Sequence, residues 1–78
     1  ARDVFLDNDR DAAAIARQLA EAERIARKSG LAVAIGHPYD ETIEAIRHWL
    51  PRARARGIEP VPIDFAAKPA LTLTAQVR

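Results

Sequence analysis

The stretch Leu31 to Thr42, LAVAIGHPYDET, constrains this chain more than any other. A short apolar run, Leu31 to Ile35, breaks off at Gly36, His37 and Pro38, and a helix-type pattern begins at about Asp40. An apolar run without polar alternation is the mark of a strand buried on both faces. A buried strand that ends in a polar residue and feeds a helix is half of a βαβ unit. Parallel α/β folds handle their ligands at the carboxyl ends of such strands, and His37 stands at that spot. Gly36 indicates a backbone position that needs freedom or close approach. Pro38 favours an extended His37 and fixes the exit of the turn.

The flanking segments complete the unit. Asp3 to Leu6 is a short β-prone run, closed by Asp7, Asn8 and Asp9. Asp9 to Ser29 is expected to be a long amphipathic helix with Asp9 as its cap. Its apolar stripe is Ala12, Ile15, Leu19, Ala22 and Ile25 or Ala26. Arg27 and Lys28 lie at the end that the helix dipole favours for cations, and Gly30 follows as a natural stop. A second helix is expected from Asp40, as N-cap, to about Arg56. Its stripe is Ile43, Ile46, Leu50 and Ala53, with Trp49 beside it. Pro51 predicts a kink or break, and Gly57 closes the segment.

Ile58 to Ile63 forms a third strand. Pro60 and Pro62 point their missing N–H groups to one side, as on an edge strand or at an irregular sheet end. Residues 1–64 thus form one unit of order β-α-β-α-β with parallel strands, half of a barrel or of an open sheet. Residues 65–78 are a tail, in which Leu71 to Thr74 alternates and could add a strand; a flexible tail fits equally well.

Composition narrows the classes. A chain of 78 residues makes one small domain, or one piece of a larger one. It has no Cys, hence no disulfide or thiolate metal site. It has no Met, which suggests a processed or cropped segment. A net charge of +1 argues against a dedicated nucleic-acid binder. No apolar run approaches the roughly 20 residues of a membrane span, and no signal peptide is visible.

In this topology the three strand ends lie side by side and carry Asp7, Gly36-His37 and Asp64. A carboxylate next to an imidazole is the basic kit of acid–base chemistry, and it could equally be part of a metal site. The alternative is that Asp7 caps the first helix and His37 makes a local turn bond. Tyr39 could line a cleft through its ring and hydroxyl. His48 lies off its helix's core stripe and reads as solvated. Trp49 reads as core, and Arg47, Arg52, Arg54 and Arg56 spread around the axis as a solvated face. No Gly-rich phosphate loop, Ser nucleophile elbow or Cys nucleophile is present.

Three stretches, DVFLDND from Asp3, QLAEAERIARKSGLAVAIGHPYDETIEAI and WLPRARARGIEPVPI, together resemble the C-terminal part of the divergent polysaccharide deacetylase family. The turn formed by Gly36, His37, Pro38, Glu41 and Thr42 is the most specific part. The resemblance implies a distorted (β/α) barrel of the glycoside hydrolase/deacetylase type and a role in carbohydrate metabolism. It also implies a periplasmic or cell-envelope setting and a polysaccharide or glycan substrate. Related deacetylases hydrolyse acetyl groups with a divalent, zinc-like metal and an Asp/His pair. By order along the chain, Asp7 and His37 match the late acidic and histidine motifs, with His37 the candidate general acid and either residue a possible ligand. Tyr39 and Asp64 would line the substrate. The family's early Asp-Asp strand and further histidines are absent, so the metal site and the N-terminal part of the barrel would come from outside this chain. The alternative is a non-catalytic carbohydrate-binding or envelope scaffold module that keeps only the barrel.

Overall fold

The computed structural model describes residues 2–64 and 71–77. The elements run β1 (Arg2–Phe5), α1 (Ala12–Ser29), β2 (Leu31–Gly36), α2 (Asp40–Ala55), β3 (Ile58–Asp64) and β4 (Leu71–Val77). They form a mixed α/β fold with one four-stranded sheet in the order β1-β2-β4-β3. β1 and β2 are parallel, and β4 runs antiparallel to both β2 and β3.

The expected side-by-side trio of parallel strands is therefore corrected. β4 lies between β2 and β3, with Leu73 opposite Ala34 on one side and Pro62 on the other. Its alternation explains the choice, because Leu73 and Ala75 are buried beneath the helices. β3 becomes the outer strand, where the N–H groups missing from Pro60 and Pro62 need no partner. The suggested strand at Leu71 to Thr74 extends to Val77. The remainder of the tail, 65–70 and 78, lies outside the described residues.

Both helices cover one face of the sheet. Val4, Ala32, Ala34, Ile58, Leu73 and Ala75 meet Ile15, Leu19, Ala22, Ile25 and Ala26 of α1 and Trp49 and Ala53 of α2. The opposite face carries Phe5, Val33, Ile35 and Val61, all half-buried or exposed. β2 is apolar on both faces, yet helices cover only one.

The helix ends differ from expectation in two places. α1 is capped by Asp11, whose carboxylate accepts the Ala14 N–H at 3.0 Å, and not by Asp9. Asp40 is the first residue of α2, and Tyr39 occupies the cap position without a side-chain cap bond. Gly30 ends α1 at φ 91, in the left-handed region open to glycine. α2 runs unbroken past Pro51, which lies on its exposed side. Of its expected stripe, Ala53 is buried and Ile46 and Leu50 pack against the core half-buried, so the departure is at Ile43. Thr42, Trp49 and Ala53 are buried, while Ile43 is 47% exposed. Trp49 is drawn inward because its indole N–H finds an acceptor, Glu23, at 3.2 Å.

Glu23 is the polar anchor between the helices. Arg56 reaches it through two nitrogens at 2.6 and 2.8 Å, and Arg27 through one at 2.9 Å. Arg56, expected on a solvated face, is thus part of a partly buried cluster.

Candidate functional site

The parallel register of β1 and β2 builds the site. Phe5 pairs with Ile35, and the Leu6 N–H continues the ladder to the Ile35 carbonyl at 2.8 Å. Two residues further along both strands, Asp7 meets His37. The Asp7 carboxylate accepts the His37 backbone N–H on Oδ2 at 2.6 Å and faces the His37 ring Nδ1 from Oδ1 at 2.9 Å. Thr42, in the first turn of α2, donates its hydroxyl to the same Oδ2 at 2.7 Å. Asp7 therefore does not cap α1; it ties both strand ends and the start of α2 together.

Gly36 permits this approach. A Cβ at that position would stand 3.1 Å from Asp7 Oδ2 and 3.3 Å from the Leu6 Cβ. The close approach expected at this glycine is the approach of the carboxylate.

The electrostatics set the roles within the pair. Burial pushes the Asp7 carboxyl up, but the His37 ring, the His37 backbone N–H and the Thr42 hydroxyl outweigh it and hold the group below its usual 3.8. At neutral pH Asp7 is ionised and can only accept, so Nδ1 carries the donated hydrogen. The Asp7 side chain is 3% exposed and that of His37 51%. The pair thus presents a buried anion behind an accessible imidazole whose Nε2 has no protein partner among the described residues. Such a ring can pass a proton to or from a bound molecule.

Tyr39 stacks on His37, with ring centroids 5.0 Å apart and planes inclined by 20°. The Arg10 guanidinium lies 3.8 Å over the Tyr39 ring and bonds Glu41 at 3.1 Å. Asp64 ends β3 at the same end of the sheet, opposite Thr72, but β4 separates it from β2. Its side chain lies outside what the structure describes. Arg10 was without an assigned role in the sequence, and Glu41 and Thr42 were only motif positions. The signal for Thr42 was its place five residues after His37, where the first turn of a helix faces the strand end.

These residues do not by themselves complete the metal site that the resemblance implies. Both Asp7 oxygens are taken by hydrogen bonds and shielded from solvent. His37 offers one nitrogen. No group of three His, Asp or Glu side chains that could hold a metal occurs among the described residues. A groove of about 640 Å³ between α1 and α2, lined by Ala16, Ala20, Ala45, His48 and Trp49, includes none of Asp7, His37 and Tyr39.

The family model of the divergent polysaccharide deacetylases matches residues 1–66. The chain belongs to the divergent polysaccharide deacetylase family. The matched span contains Asp7, Gly36, His37 and Thr42, and β4 lies beyond it. An uncharacterized protein of Haemophilus influenzae is 44% identical over 49 residues, which are 63% of this chain and 18% of that protein. The matched region is thus less than a fifth of the relative's length. No solved structure matches the chain at a significant level.

Proposed function

We propose that this chain supplies the acid–base pair of a carbohydrate-acting hydrolase that removes acetyl groups from envelope glycans. The observation that carries the reading is the Asp7–His37 pair, a buried carboxylate on Nδ1 with Nε2 left accessible at the carboxyl end of a strand. Family membership supports a deacetylase-like protein.

In this reading a water oxygen adds to the acetyl carbonyl carbon, and the bond from that carbon to the sugar nitrogen or oxygen breaks. Protonated His37 gives its Nε2 proton to the departing atom, and acetate leaves. Asp7 holds the ring through Nδ1 and offsets its positive charge while it is protonated. Thr42 and the His37 backbone N–H keep the carboxylate aimed. Activation of the water falls to groups outside this chain, where a divalent metal would be held.

The same proposal places the chain within a distorted (β/α) barrel in the periplasm or envelope. Among the described residues β1 has a neighbour on one side alone, and the sheet face bearing Phe5, Val33, Ile35 and Val61 has no helix over it. Further strands of a barrel would cover both.

The test is acetate release and divalent-metal binding by the full-length protein, wild type beside His37→Ala. Loss of turnover in a folded, metal-binding variant supports the acid–base role. A wild type with neither metal nor turnover on acetylated glycans returns His37 to a turn residue and favours a scaffold or binding module.

A further inference from the structure

A hydrogen bond at Nδ1 fixes one atom of the His37 ring and leaves its plane free to pivot. The side chain is half exposed, so close packing does not supply the missing restraint. The stack does. Tyr39 follows His37 across Pro38, whose ring fixes one backbone angle of the turn, and lies nearly parallel to the imidazole. Tyr39 is itself held: the Arg10 guanidinium sits over its ring, and Glu41 holds Arg10. Arg10 belongs to the connection after β1, three residues past Asp7, and Glu41 to the first turn of α2. The two loops that carry the acid–base pair are thereby clasped to each other beside it.

We propose that Arg10 and Tyr39 are positioning residues for His37, fixing the imidazole plane that Asp7 alone leaves free. This rests on the acid–base reading of His37. A general acid must present its proton along a defined line, and a misaligned ring slows the transfer without weakening the grip on substrate. Tyr39 then acts through His37, with its ring given to the stack.

The experiment compares wild type with Arg10→Ala, Tyr39→Ala and Tyr39→Phe in the full-length protein. It measures acetate release from N-acetylglucosamine oligomers, and the imidazole signals of His37 in protein labelled with ¹⁵N-histidine. Arg10→Ala and Tyr39→Ala are each expected to lower kcat about tenfold with KM within about twofold of wild type. Tyr39→Phe, which keeps the stacking ring, recovers most of that loss. The His37 signals, sharp and of the Nδ1–H form in wild type, broaden or average in both alanine variants and return in Tyr39→Phe. Unchanged kcat in the alanine variants overturns the proposal, as does a rise in KM alone, which makes Tyr39 a substrate contact. If wild type releases no acetate, the functional reading fails separately, and the ring signals decide. A change in Arg10→Ala then sustains the positioning arm, and an unchanged spectrum overturns it.

Discussion

Replacing Glu23 by Gln tests the anchor that joins the two helices. Arg56 holds the Glu23 carboxyl down at about 2 against an ordinary 4.5; burial opposes it, and Arg27 and the Trp49 indole add to the lowering. The gap of roughly 2.5 corresponds to about 3 kcal/mol of folding stability at neutral pH. The Arg27 and Arg56 side chains are nearly half exposed, and solvent screening lowers the expected loss to about 2 kcal/mol. The folded-state value is depressed, so this stability is fully present above pH 4.5 and drains away as the pH falls through about 2. Urea unfolding of wild type and Glu23→Gln, followed by circular dichroism from pH 7 to pH 2, gives the difference directly. Other carboxylates titrate in both proteins and largely cancel. The difference is expected to be about 2 kcal/mol at pH 7 and to shrink towards pH 2. A difference under about 0.5 kcal/mol at pH 7, or one that stays constant down to pH 2, refutes the assignment of the cluster as a charge-held anchor.

Thr42→Val keeps the shape of a fully buried side chain but removes a donor from Asp7 Oδ2. It is expected to cost about 1–2 kcal/mol in urea unfolding and to raise the Asp7 carboxyl titration followed by NMR. Gly36→Ala drives a methyl group against Asp7 Oδ2 and Leu6. About 1–3 kcal/mol of destabilisation follows, with displacement of the His37 backbone amide signal. The Asp7 carboxyl is likewise held low, so its contribution is present above its ordinary 3.8 and lost as the pH falls through its folded value. The stability difference between wild type and Asp7→Asn therefore narrows on acidification below about pH 4.

The amino-acid sequence by itself determined the local elements and the pairing of the site. The apolar run of β2, the three- and four-residue spacing of α1 and the turn at Gly36-His37-Pro38 are properties of neighbouring residues, and they lie where the pattern puts them, except that α1 begins at Ala12 and leaves that residue of the expected stripe exposed. The Asp7–His37 meeting was legible too, because two neighbouring parallel strands bring the polar residues that follow them to the same end of the sheet, here each two positions past the paired Phe5 and Ile35. Helix caps were less legible: Asp9 and Asp11 are chemically alike, and only the entry path of the chain selects Asp11. Tertiary structure alone decided what depends on residues far apart in the chain. β4 displaced β3 from β2 because its buried Leu73 and Ala75 complete the core. Trp49, read as core from the sequence, found its acceptor in Glu23, 26 residues away, while Ile43 of the expected stripe was left exposed. Thr42 and Arg10 acquired partners on other loops in the same way. Periodicity specifies which residues share a face, whereas the partner across that face is set by packing, where one satisfied buried polar group outweighs a regular stripe.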